Sequence, residues 1–323
     1  MIIYPETYGA VGDGIADDTI PVQTAIHQWV NSIGNVLHMY GRYRITSPLT
    51  TKISSNITEP KIIDGRGGAL IDDFGTSIGA LLAITVSGSG FLWRNLHIYD
   101  LNIVSGNVPN ATSYLELDGG RGDIENGYEA LYSFDIIGLT IQGPIQHGIQ
   151  IIGNAFEGQI TGGRIESTSA YGNGVYIASD VVSSIYLDKF TVYGFKNGIK
   201  SVAADIRSTN LTVLMCKEAG IFYDNNISGI VQNCHVENTW NKVGQSGAGI
   251  VMHNVCRSIN NYGTANMGNQ THVLESWSTQ NCNLVIGGFN QEITSKYALL
   301  KGNGTFELVA VPNYVADLNT KVN

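Results

Sequence analysis

His147-Gly148-Ile149, Asn173-Gly174-Val175, Asn197-Gly198-Ile199, Ala219-Gly220-Ile221 and Ala248-Gly249-Ile250 repeat one short pattern: a small or polar residue, a glycine, then a β-branched residue. The glycines stand 26, 24, 22 and 29 positions apart. A fixed period of roughly 20 to 50 residues marks an architecture of stacked units. Each repeat opens an alternating run such as Gly220-Ile221-Phe222-Tyr223-Asp224, the period of two expected of a strand with one buried face. Two shorter runs follow, for example Ser184-Ile185-Tyr186-Leu187 and Phe190-Thr191-Val192-Tyr193. Three short strands and three turns per repeat make one coil of a parallel β-helix. An antiparallel sandwich would show hairpin dipeptides and would give Gly-Ile no reason to recur at coil length. Asn210 and Asn233 recur at turns, where Asn tolerates the left-handed conformation and can bond a stacked counterpart.

Working outward, Leu92-Trp93-Arg94-Asn95-Leu96-His97-Ile98-Tyr99 and Leu139-Thr140-Ile141-Gln142-Gly143 read as earlier coils. The Gly-rich, charged stretch from Ser105 to Asn126, with Asp118, Arg121, Asp123 and Glu125, reads as an insertion or a disordered loop. Composition agrees with stacked coils. Of 323 residues 39 are Gly, above the usual ~7 per cent, and 14% are charged against a usual ~25 per cent. A hydrophobic content of 43% excludes disorder, and no stretch is long and apolar enough to cross a membrane. A net charge of −9 argues against nucleic acid, although a local basic patch for anionic substrates is compatible with it. Cys216, Cys234, Cys256 and Cys282 lack metal-ligand spacing and read as buried thiols. Met1 to Glu6 shows neither a basic nor an apolar segment of a secretory signal.

An open β-helix end must be covered. Residues 17 to 30 supply an amphipathic helix for this: Asp17 or Asp18 at its start, Pro21 in the first turn, and Val22, Ile26, Trp29 and Val30 on one face. Tyr8-Gly9-Ala10-Val11-Gly12-Asp13-Gly14, Asp17-Asp18-Thr19, this helix, and Gly34-Asn35-Val36-Leu37-His38-Met39-Tyr40-Gly41-Arg42-Tyr43-Arg44-Ile45 together resemble the N-terminal signature of the pectate-lyase superfamily. That group includes phage tailspike depolymerases, exopolysaccharide lyases, polygalacturonases and mannuronan epimerases. The resemblance implies an all-β, right-handed parallel β-helix of pectin-lyase type with an N-terminal capping helix. Residues 1–50 would form the cap, 51–300 the coils and 301–323 a C-terminal strand and tail. Within the group the chain most resembles the phage tailspike depolymerases, which implies a polysaccharide substrate, a homotrimer, and an extracellular or virion-tail location. No cofactor and no metal are expected, since clustered calcium-binding aspartates are not evident.

Alternation within each coil selects the outward residues. Val175, Ile177, Ile185, Leu187, Val192, Ile199, Ile206, Val213, Ile221, Tyr223 and Val236 face inward, whereas Tyr176, Tyr186, Asp188, Tyr193, Lys200, Asp205, Arg207, His235 and Glu237 face out. Asp188 and Asp205 are expected on neighbouring coils, within the ~5 to 9.5 Å that glycoside hydrolysis requires of its carboxylates. The first expectation is thus a glycoside hydrolase. Asp188, Asp205, Glu237 and His235 are its catalytic candidates, and Arg207, Tyr186, Tyr193, Trp240 and Tyr176 its substrate-binding ones. Two alternatives stand beside it. β-Elimination on a uronate polymer would draw on Lys200, Lys217, His253 and Arg257 with Tyr176 as acid. A glycan-binding module without catalysis would fit the thin supply of outward charge.

Overall fold

The computed structural model describes residues 1–310 except 33–35, 122–128, 144, 179–183, 203–204, 225–227, 238–247, 254–258, 265–271, 278–282, 291–299 and 303–304. Among the described residues, three parallel sheets carry the chain. Sheet 1 has ten strands, from Leu49–Thr50 to Leu300–Gly302; sheet 2 has thirteen, from Ile2–Ile3 to Thr305–Ala310; sheet 3 has nine, from Asp13–Asp17 to His235–Glu237. The chain visits sheets 1, 2 and 3 in turn, so each strand pairs with its counterparts one coil before and one coil after. One coil runs Asn173–Ala178, Ile185–Asp188, Thr191–Tyr193 and then Asn197–Val202, which lies beside the strand that opened it.

The repeat is stacked in register: His147, Asn173, Asn197, Ala219 and Ala248 form one row of sheet 1. Its glycines are required by close approach. A Cβ on Gly174 would lie 2.3 Å from Val192 Cγ1 and 2.6 Å from the Gly198 carbonyl oxygen. On Gly198 it would meet Val213 Cγ1 and the Gly220 oxygen at the same distances. Sheet 3 thus sends a β-branched side chain onto the corner where these strands of sheet 1 begin: Ile165 at Gly148, Val192 at Gly174 and Val213 at Gly198. The core between the sheets is filled as the alternation predicts: Val175, Ile177, Ile185, Leu187, Val192, Ile199, Ile206, Val213, Ile221, Tyr223 and Val236 are all buried. Cys216 and Cys234 lie in that core as free thiols, pushed up to about 12 and about 11 by burial. Cys256 and Cys282 lie outside the described residues.

One residue at the corner between sheets 2 and 3 turns left-handed in coil after coil, including Asp100, Gly138, Gly162, Lys189, Asn210 and Asn233, with φ from 48° to 72°. Asn and Asp tolerate this conformation because their short polar side chains bond locally. The Asn210 Nδ2 also reaches the preceding coil, donating to Asp188 Oδ1 at 2.7 Å rather than to a stacked Asn. The stacked amide ladder lies instead on the Gly-Ile row, where Asn197 Nδ2 donates to Asn173 Oδ1 at 3.0 Å in the interior.

Helix α1, Thr19–Asn31, covers the N-terminal end and buries Val22, Ala25, Ile26, Trp29 and Val30. Trp29 meets Trp93 of the coil above with ring centroids 5.7 Å apart. Asp18 occupies the N-cap position but makes no side-chain cap. Its buried carboxylate accepts instead from the backbone amides of Val11 and Gly12, at 2.7 and 3.0 Å, and so ties the Gly-rich turn to the helix. Asp17 Oδ1 accepts from Thr19 N at 3.0 Å in its place.

The reading of Ser105 to Asn126 as a loop is corrected. Ser113–Asp118 is a full strand of sheet 1, paired with Ala80–Thr85 on one side and His147–Ile152 on the other. Its alternation is regular: Leu115 and Leu117 are buried, and Glu116 and Asp118 face outward.

Candidate functional site

The register distributes the expected site residues over three faces. Tyr186, Asp188, Asp205 and Arg207 lie on the outer side of sheet 2; Tyr193, His235 and Glu237 belong to sheet 3; Tyr176 belongs to sheet 1. Trp240 and Arg257 lie outside the described residues, as do the side chains of Glu237 and His253. On sheet 2, Tyr186 stands opposite Arg207, whose guanidinium covers its ring at 5.2 Å. Asp188 stands opposite Thr209.

That register overturns the expected Asp188–Asp205 pair. Asp205 is four residues before Thr209, so it is displaced along the strand from Asp188 by roughly 13 Å, beyond the ~9.5 Å limit for a hydrolytic pair. Asp188 is also spoken for. Burial alone would raise its pKa, but hydrogen bonds from Thr209 Oγ1 and Asn210 Nδ2, both at 2.7 Å, and from Lys189 hold its carboxyl below the ordinary range. A proton donor needs the opposite shift.

The outer face of sheet 1 gathers a different set. Glu116, Gln150, Tyr176, Lys200 and Phe222 stand in one row across five successive coils. Asp118 lies two residues beyond Glu116 on the same strand and the same side, which sets the two Cβ positions roughly 6.6 Å apart. Burial, and then the charge of Asp118, push the Glu116 carboxyl above its ordinary value. Asp118 is fixed by its own turn: its Oδ1 accepts from Gly120 N at 2.8 Å. One carboxyl is thus biased toward the acid form beside a second that is oriented by hydrogen bonding.

The same face borders an open cleft of about 570 Å³ where sheet 3 turns into sheet 1, lined in part by His147, Tyr171, Asn173, Lys196, Asn197 and Lys200. The His147 ring stacks on Tyr176 with centroids 4.8 Å apart. Asn173 Nδ2 lies 3.2 Å from His147 Nδ1 and, as donor, leaves the imidazole proton on Nε2. Burial, and secondarily Lys200, push this imidazole down to about 4, so it is neutral at physiological pH. Of the elimination candidates, Lys200 and Tyr176 are adjacent in the row, while Lys217 sits over the Tyr171 ring at 5.5 Å. Among the described residues, no group of three or more His, Cys, Asp or Glu side chains converges as a metal site would require.

Neither a protein-family model nor a curated protein matches the chain. Solved structures do. The alginate lyase of Paenibacillus sp. strain FPU-7 superposes with a TM-score of 0.61 at 12% identity, over 88% of this chain and 97% of that one. The Streptococcus pneumoniae surface protein and adhesin PfbA gives 0.61 at 11% identity, over 96% and 97%. The enzymatically active domain of tailspike protein 2 from bacteriophage CBA120 gives 0.53 at 13% identity, over 88% of this chain and 47% of that one. The chain therefore spans about half the length of the tailspike chain it matches. These likenesses establish the fold, which is the right-handed parallel β-helix.

Proposed function

We propose that this protein is a polysaccharide depolymerase that lays an extended bacterial surface or extracellular glycan along the outer face of sheet 1. Cleavage is hydrolytic, with Glu116 as general acid and Asp118 as its partner. The observation that carries this reading is the pair itself: two outward carboxylates on one strand, with the pKa of Glu116 raised by burial and by Asp118. Protonated Glu116 gives its proton to the glycosidic oxygen as the bond from that oxygen to the anomeric carbon breaks. Asp118 takes a proton from the water whose oxygen attacks the same carbon from the opposite side. The separation of two such carboxyl groups decides between inversion and retention at the anomeric carbon, and anomer analysis of the products reads which one operates.

Structural likeness to a tailspike domain and an alginate lyase supports a glycan substrate. It also supports the proposal of an extracellular or virion-tail location and of a homotrimer, for which a solution mass near three times 34.8 kDa is expected. The test is incubation with capsular, lipopolysaccharide and exopolysaccharide preparations, followed by sizing and anomer analysis. Glu116→Gln and Asp118→Asn should each lower cleavage by roughly 10² to 10⁴ fold. Full cleavage by both variants refutes the pair. An ultraviolet absorbance from unsaturated uronate refutes hydrolysis and transfers the chemistry to His147, Tyr176 and Lys200. Binding with unchanged chain length refutes cleavage and leaves a recognition module, as the adhesin PfbA is by name.

A further inference from the structure

His147, Asn173 and Asn197 stand in one row of sheet 1 on three successive coils. The two amides are buried, at 7% and 3% exposure, whereas the imidazole is half-buried at the cleft wall. A carboxamide donates from one end and accepts at the other, and a neutral imidazole has one nitrogen of each kind. Asn197 Nδ2 donates to Asn173 Oδ1 at 3.0 Å, so Asn173 turns its own Nδ2 the opposite way. There it lies 3.2 Å from His147 Nδ1, which has to be the bare, accepting nitrogen. The hydrogen bond at one ring nitrogen sets the proton on the other. Ser113, on the far side of His147 in the row, has a buried hydroxyl with no hydrogen-bond partner, so the ring takes its polarity from the Asn173 side. Stacking on Tyr176, with centroids 4.8 Å apart, holds the ring plane.

The other end of the row shows why a residue two coils away holds the control. The next position is Ala219, and Asn197 Oδ1 is left buried without a partner. Turning both amides over and moving the imidazole proton to Nδ1 would keep both hydrogen bonds. It would exchange the unpaired Asn197 oxygen for an unpaired Asn197 Nδ2, and an unpaired buried polar atom is costly in either case. Both polarities thus make the same number of bonds, and the chemistry of residue 197 selects between them. A group there that could only accept would reverse the row.

We infer that Asn173 and Asn197 are positioning residues that act through His147: together they hold its proton on Nε2, so the imidazole shows the cleft a neutral N–H donor and no bare nitrogen. Burial, and then Lys200, push this imidazole down to about 4, which keeps it neutral at physiological pH. A base needs a lone pair at the nitrogen that meets the proton, and here that pair is turned toward Asn173. His147 is thereby assigned to hydrogen bonding toward an oxygen of a bound molecule and excluded as a proton acceptor in the cleft. The inference does not draw on Glu116 or Asp118. It deepens the proposed function by fixing the part that His147 takes there, whichever bond is cut.

The experiment is a long-range proton–nitrogen correlation spectrum of the full chain labelled at histidine nitrogen, at about pH 8, well above the ordinary carboxyl range. The His147 signals are identified by their loss in His147→Gln. Nδ1 without a proton and Nε2 with one are expected. A proton on Nδ1, or shared between the two nitrogens, overturns the inference without any variant. Asn197→Asp and Asn173→Asp keep the side-chain shape and replace a donor by an acceptor, so in each the proton should move to Nδ1. If Nε2 keeps its proton in both, with native circular dichroism, the relay is wrong. Movement in Asn173→Asp alone overturns the part given to Asn197. Should Asn197→Asp not fold, Asn197→Ala takes its place: a proton shared between the nitrogens is expected, and an unchanged Nε2–H overturns that part. These spectra need no glycan, so they stand apart from the sizing assay. Absence of cleavage sinks the depolymerase and leaves the row as it is.

Discussion

Gly198→Ala tests whether the repeating glycine is there for space. The added methyl would stand 2.3 Å from Val213 Cγ1, 2.6 Å from the Gly220 oxygen and 3.1 Å from Cys216 Sγ. Ordinary carbon contacts lie near 3.5 to 4.0 Å, so the valine must retreat by more than ~1 Å inside a packed core. Overpacking of this kind costs about 1 to 3 kcal/mol, a large part of a stability of roughly 5 to 15. Val213→Ala alone removes two methyls and should cost about 2 kcal/mol through lost transfer and a residual hole. In the double variant the new methyl enters that hole, so the combined loss should fall short of the sum by ~1 kcal/mol or more. Urea unfolding followed by far-ultraviolet circular dichroism measures all four states of the cycle. Additivity within ~0.3 kcal/mol would refute the steric account and leave the glycine without this explanation.

Two further outcomes are expected. Glu116→Gln should raise stability at neutral pH even as it lowers cleavage. Because the folded pKa lies above the unfolded value, the native state loses stability as pH rises from about 4.5 toward the folded value and stays level beyond it, so the advantage of Gln should vanish well below about 4.5, where both states are protonated. Thermal unfolding across pH 3 to 8 reads this directly. Asn173→Ala should cost about 1 to 3 kcal/mol in urea, because Asn197 Nδ2 then loses its acceptor in the interior.

Much of the fold was legible because its determinants are local in sequence. Gly148, Gly174 and Gly198 answer to Ile165, Val192 and Val213, each fewer than twenty residues downstream, and alternation named the inward side chains of the strands tested above. The active face was less legible. Parity tells which residues of a strand point outward, but it leaves the register between coils free by steps of two. That freedom is how Asp205 was set beside Asp188 when it lies opposite Ser184, two steps of alternation away. Glu116 went unseen because glycines and charges around it disguised a strand, although Leu115-Glu116-Leu117-Asp118 alternates cleanly. Asp18 looked like a helix cap by position. Its carboxylate serves a turn six and seven residues earlier, which no local rule foretells.

Because every strand of sheet 1 pairs only with the same strand of the coils on either side, the distance between the Glu116 carboxyl and the Lys200 ammonium grows or shrinks in whole coils. It behaves as a ruler graduated at ~4.8 Å. Inserting or deleting one coil between them would leave both groups intact and the packing satisfied, yet shift their spacing by one graduation. Along this face, then, the spacing between side chains in one row is set in whole coils rather than tuned continuously.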